Sequence, residues 1–155
     1  MSAIENNYKS SSHVQLQAED LIFAKVEKLL NISLEKNKKI YLADNAFTYM
    51  QPDFYSSEYS IVGEIFAHIG KPKKAQDNKI ANDILKMLLL EKTTGKKFRK
   101  IIVVCDETER KKLEGLSVLA ESIRQFDIEI MYIKIDLDME NQILEAQKMQ
   151  KMINA

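Results

Sequence analysis

The chain of 155 residues carries 23 Lys plus Arg against 23 Asp plus Glu, with one cysteine and no tryptophan. That length supports one domain with a self-sufficient core. The balanced charge excludes a chain-wide basic field that would draw nucleic acid, and the lone Cys105 excludes an intrachain disulfide or a cysteine-built zinc cluster.

No apolar run approaches the roughly 20 residues of a membrane span, and the opening MSAIENNYKSSSH lacks the apolar segment of a secretory signal. The expectation is a soluble, cytoplasmic protein without membrane association. Met1 to Ser12 is polar and expected to be disordered. Leu16, Phe23, Val26 and Leu30 then recur at helical spacing, which predicts a helix from about His13 to Leu30. On a wheel of 100° per residue Glu19 falls in the middle of that apolar face, and Glu27 near its edge. A carboxylate buried there requires a cation or donors to meet it. His13 reads as a surface residue near the helix start.

Lys39 to Ala43 and Ala46 to Met50 read as short strands around the turn pair Asp44 and Asn45. Pro52 marks a strand start or edge directly before Asp53. Phe54 to Ile69 is rich in Phe, Tyr, Ile and Val around the polar Ser56, Ser57 and Glu58, which predicts a β-hairpin. A turn centred between Ser57 and Glu58 would pair Asp53 with Val62. Glu64 would then share Asp53's face on the diagonal, about 7 to 8 Å away between backbones. Two carboxylates so placed can share one hard cation.

Gly70 and Pro72 end the hairpin, and Ala75 to Glu91 reads as a helix with Ile80, Ile84, Leu85 and Leu88 inward. Gln76, Lys79 and Asp83 form a polar stripe along it. Lysines cluster at Lys71, Lys73, Lys74 and Lys79, and again with Arg99 at Lys96, Lys97 and Lys100. Phe98 to Cys105 is an apolar strand of the kind buried on both faces. Glu107 to Phe126 reads as a polar helix weakened at Gly115, Ile128 to Ile135 as a last strand, and Met139 to Ile153 as an amphipathic C-terminal helix within residues 136–155. A helix between strands favours a parallel crossover, so the fold class is α/β: a single domain, residues 1–155, with a mixed β-sheet flanked by helices on both sides.

That element order, with Pro52-Asp53 and an acidic residue in the next strand, resembles the PD-(D/E)XK, or restriction-endonuclease-like, nuclease superfamily from about Leu16 to Ile135. The resemblance implies a restriction-endonuclease-like core in which Asp53 and Glu64 bind Mg²⁺ (or Mn²⁺) and Glu19 assists. It also implies a lysine two positions after Glu64. Phe66 stands there instead, and a phenyl ring cannot orient water. The catalytic cation must then come from Lys79, Lys71 or His68, or the chemistry has been lost. Physically, two acids suit Mg²⁺, which takes oxygen ligands and usually keeps several waters. Lys71, Lys73, Lys74 and Gln76 are the candidates for gripping nucleic-acid phosphates.

Two functions follow. One is a metal-dependent nuclease acting on DNA phosphodiester bonds, which a homodimer would suit because cutting a duplex usually takes two sites. Met149 and Met152 are soft side chains available for such a surface. The other is a catalytically inactive module of the same fold that binds nucleic acid or protein. A doubly wound anion-binding fold of another kind is disfavoured, since the glycines at 63, 70, 95 and 115 form no phosphate loop.

Overall fold

In the computed structural model, residues 3–70 and 74–153 are described. Lys71 and Lys73, two of the candidate cations, lie outside that set. The first helix, α1 (Ala3–Leu30), begins well before His13, so the N-terminal segment expected to be disordered is helical from Ala3 onward. Its inward stripe is Ala18, Ile22 and Val26 rather than the expected Leu16, Phe23, Val26 and Leu30, and Leu16 is exposed.

Two short strands follow, β1 (Ile40–Tyr41) and β2 (Tyr49–Met50), and they pair only with each other. They form a separate two-stranded sheet instead of joining the single mixed sheet expected from sequence. The main sheet has the order β3-β4-β5-β6, built from β3 (Phe54–Ser56), β4 (Ile61–Phe66), β5 (Arg99–Val104) and β6 (Ile128–Tyr132). β3 runs antiparallel to β4, and β5 and β6 continue parallel to β4. The expected mixed sheet is therefore present. The outer edge of β3 is partly capped, because Glu35 and Tyr55 exchange backbone hydrogen bonds of 2.8 and 2.9 Å.

Period-two alternation splits the core into two layers. Ile61, Ile65, Ile101 and Val103 pack with Ala18, Ile22 and Val26 of α1 and with Ile143 of the C-terminal helix α5 (Leu137–Ile153). Val62, Phe66, Ile102 and Val104 pack with Ile80, Ile84, Met87 and Leu90 of α2 (Lys74–Thr94), and with Leu42 and Met50 of the small sheet. Leu85, expected inward, is exposed on α2, and Met87 takes the buried position.

The polar run after β5 is two helices, α3 (Glu107–Leu113) and α4 (Val118–Gln125), separated around Gly115. Asp106 caps α3 by accepting from the Glu109 backbone N–H, and Ser117 caps α4 by accepting from Ala120. Both helices lie on the α2 side, through Leu113 and Ile123. On α5, Met152 is exposed and Met149 half-buried. Among the described residues no helix is long and apolar enough to cross a membrane.

Candidate active site

The hairpin register is set by a close approach. Phe54 pairs with Gly63, Tyr55 with Val62 and Ser56 with Ile61. The Phe54 ring lies across Gly63 so tightly that a Cβ there would come within 1.9 Å of Cζ. Only glycine leaves room for the ring. The turn is therefore one residue later than the Ser57-Glu58 centre expected, and continuing the register sets Asp53 opposite Glu64 rather than Val62. The two carboxylates are direct cross-strand neighbours on the α2 face, closer than the diagonal pair expected from sequence.

Beyond Asp53, β3 has ended and β4 would be left with open backbone groups, which must be satisfied elsewhere. Side chains from distant elements take them. Asp53 Oδ2 accepts from the Ile65 N–H at 2.7 Å. Gln15 of α1 donates to the Ala67 carbonyl at 3.0 Å. Gln147 of α5 accepts from the Ile69 N–H at 3.0 Å and donates to its carbonyl at 2.9 Å, holding that peptide in both directions. Beside this segment lies a groove of about 810 Å³, lined by Gln15 and Glu19 of α1, Gln76 and Lys79 of α2, and Lys148 and Lys151 of α5, among others.

The acids sit under strong mutual influence. Glu64 is buried, and its carboxyl is pushed up to about 9, first by burial, then by the charges of Asp53 and Asp83 and a hydrogen bond with Asp53, against the opposing charge of Lys79. Glu19 is half-buried, and burial followed by the Asp53 carboxylate raises it too, again opposed by Lys79. Lys79 donates to Asp83 Oδ2 at 2.9 Å. Burial alone would lower its ammonium, but the Asp83 hydrogen bond and the charges of Asp83, Glu64 and Asp53 outweigh it and hold the pKa above its usual value. Glu19, Asp53, Glu64, Lys79 and Asp83 thus form one electrostatic unit drawn from α1, the hairpin and α2. Carboxylates outnumber ammonium groups in it, the condition in which a bound dication relieves repulsion.

Among the described residues no group of three or more His, Cys, Asp or Glu side chains forms a ready metal cage. A Mg²⁺ site needs fewer, since one or two carboxylates with waters and substrate oxygens complete its shell. The donor set of Asp53 and Glu64 fits that requirement.

The remaining candidates separate. Of the candidates for the missing lysine, Lys79 couples to the charges of both Asp53 and Glu64, and Lys71 lies outside the described residues. His68 stacks on Phe66, ring centroids 5.6 Å apart at 19°, and borders the groove. Phe66 itself is a buried residue of the α2 layer that also borders the groove. Lys74 is exposed at the start of α2, and Gln76 is half-buried in the groove wall.

Sequence reasoning missed Asp83 as the partner that orients Lys79, although the i, i+4 spacing was visible. It also missed Gln15, one turn before Glu19, and the stripe Gln147, Lys148 and Lys151 on α5. Comparison with protein-family models, with curated proteins and with solved structures finds no match for this chain.

Proposed function

We propose that the protein is a metal-dependent nuclease of restriction-endonuclease-like fold, cleaving DNA phosphodiester bonds. The observation that carries this is the Lys79 ammonium of α2, which donates to Asp83 and couples electrostatically to the paired carboxylates Asp53 and Glu64. On this reading Lys79 takes the role of the lysine absent from the Phe66 position. Asp53 and Glu64 would hold Mg²⁺ or Mn²⁺, which when bound lowers the pKa of a water and stabilises charge developing on phosphate.

The chain's own groups do the rest. Lys79, kept protonated by its acidic surroundings and fixed by Asp83, has further N–H donors to hold a phosphate oxygen or orient the attacking water. Asp53, anchored through the Ile65 N–H, keeps its orientation with or without substrate. Glu19 faces the same charges from α1 and orients solvent at the groove. Lys74, Gln76, Lys148 and Lys151 bind flanking phosphates.

A second reading, a nucleic-acid-binding module without turnover, is favoured by one observation: the usual lysine position has been absorbed into the core as Phe66. Calorimetric titration of Mg²⁺ and Mn²⁺ into wild type and Asp53→Asn tests the metal site. The expected result is binding to wild type that Asp53→Asn weakens at least tenfold. Heats of dilution alone for both proteins would remove the basis of the proposal.

A further inference from the structure

The β1–β2 sheet has two unlike faces. Ile40, Leu42 and Met50 point into the α2 layer. By alternation the opposite face carries Tyr41 and Tyr49, with Lys39 over the Tyr49 ring, and Phe47 stands in the bend just before β2. All four are exposed, and Phe47 is 86% exposed although it is among the most apolar residues in the chain. This end of the sheet therefore exposes two paired tyrosine rings with a lysine, and a phenyl ring at the adjoining tip.

These rings are held in place rather than left loose. Tyr41 and Tyr49 pair across the strands with centroids 5.8 Å apart, edge to face. Lys39 Nζ lies 4.9 Å from the centre of the Tyr49 ring. Asn45 Oδ1 accepts from the backbone N–H groups of both Phe47 and Thr48 at 2.7 Å, and Leu42 donates to the Thr48 carbonyl at 2.9 Å. Phe47 is thus presented from a fixed tip. The nearby Lys36 and Lys38 are paired with Asp20 and Glu35, whereas the Lys39 charge is laid on the aromatic platform itself.

We propose that the outer face of the β1–β2 sheet is a stacking platform for the unpaired bases of a nucleic-acid strand, which Lys39 attracts through the phosphates. Exposed aromatic rings beside a cation, with the phenyl ring of Phe47 86% exposed, are the combination that binds single strands with little sequence preference. The position matters as much as the chemistry. Tyr49 lies four residues before Asp53, a span of at most about 14 Å of extended chain, or roughly four base steps at about 3.4 Å each. The platform therefore sits within a few nucleotides of the acids and selects substrates with unpaired bases there, such as flaps, bubbles or single-stranded ends. This inference rests on the nuclease reading for its substrate class, but base stacking is measurable without cleavage.

The chain has no tryptophan, so Phe47→Trp introduces a single reporter. Three measurements in chelator make the test: quenching of that tryptophan by a short single-stranded oligonucleotide, anisotropy of labelled single strand and duplex with wild type and Phe47→Ala, and sedimentation of both proteins. Quenching is expected, with Phe47→Ala weakening single-strand binding about 5- to 150-fold at unchanged melting temperature, and duplex binding moving far less. Equal affinity of wild type and Phe47→Ala for single strands overturns the platform. So does a wild-type dimer that Phe47→Ala dissociates, which would assign the face to a second copy. Quenching in chelator together with no cleavage of any DNA by wild type once Mg²⁺ or Mn²⁺ is supplied, by contrast, overturns the nuclease reading and leaves the platform standing.

Discussion

Glu109 is fully buried in α3, and neither of its carboxyl oxygens has a hydrogen-bond partner among the described residues. Burial pushes its pKa up to about 7; Lys112 pulls it back down, while Asp77 and Asp106 push it further up. Lys112 gives only partial relief because it is itself paired with Asp77 at 2.5 Å. Between the ordinary carboxyl value of 4.5 and about 7 the folded protein holds a proton that the unfolded chain has released. Stability from this group is therefore complete below pH 4.5 and is lost as pH rises through 7. At about 1.4 kcal/mol per unit, the loss at pH 8 is on the order of 3 kcal/mol. Replacing the carboxyl by an apolar side chain of similar volume removes it. Glu109→Met is expected to raise the melting temperature by roughly 5 to 10 °C at pH 8, at about 2 to 4 °C per kcal/mol for a chain of this size, and to change it little at pH 4.5. Thermal melts followed by circular dichroism across that range decide the matter. A variant less stable than wild type at pH 8, or a difference independent of pH, would mean that Glu109 has a charged partner and that the reasoning is wrong.

Gly63→Ala should cost about 2 kcal/mol or more, because the added methyl meets the Phe54 ring; denaturant unfolding measures it, and an unchanged midpoint would contradict the register argument. Phe66→Lys should destabilise the fold by about 3 kcal/mol or more, because the buried ring is lost from the α2 layer and a charge is taken out of water, read by the same unfolding curves. In wild type without metal, the raised Glu64 predicts stability that falls as pH rises from 4.5 towards 9, with a slope approaching about 1.4 kcal/mol per unit. Glu64→Gln should flatten that slope and abolish the rise in melting temperature that millimolar Mg²⁺ or Mn²⁺ brings to wild type.

Most of the layer order was legible because each segment's period is strong. The Arg99–Val104 strand is apolar on both faces and can only be central, and α2 declares itself through Ile80 and Ile84. Errors arose where a small residue governs packing. Ala18 carries little hydrophobic signal, yet it is fully buried, so the apolar stripe was drawn through the larger but exposed Leu16 instead. Gly63 fixes the hairpin register through the space it leaves for Phe54, a relation between two side chains that propensity does not encode. The pairing of Asp53 with Glu64 was readable as period-two alternation once the turn was placed. The clamp by Gln147 on Ile69 was not, since 78 residues separate them and polar residues on an amphipathic helix ordinarily face solvent.

Single-turnover cleavage of plasmid and single-stranded DNA in Mn²⁺ or Mg²⁺, comparing wild type with Asp53→Asn and Lys79→Ala, tests the central claim most directly. Cleavage by wild type is expected, with none above background for Asp53→Asn. Lys79→Ala should lose on the order of a hundredfold or more in rate while DNA affinity changes little, since a cation acting at the transition state contributes mainly to rate. If wild type and Asp53→Asn behave identically on every substrate, the site is not catalytic and the account of Asp53, Glu64 and Lys79 as a nuclease centre is contradicted.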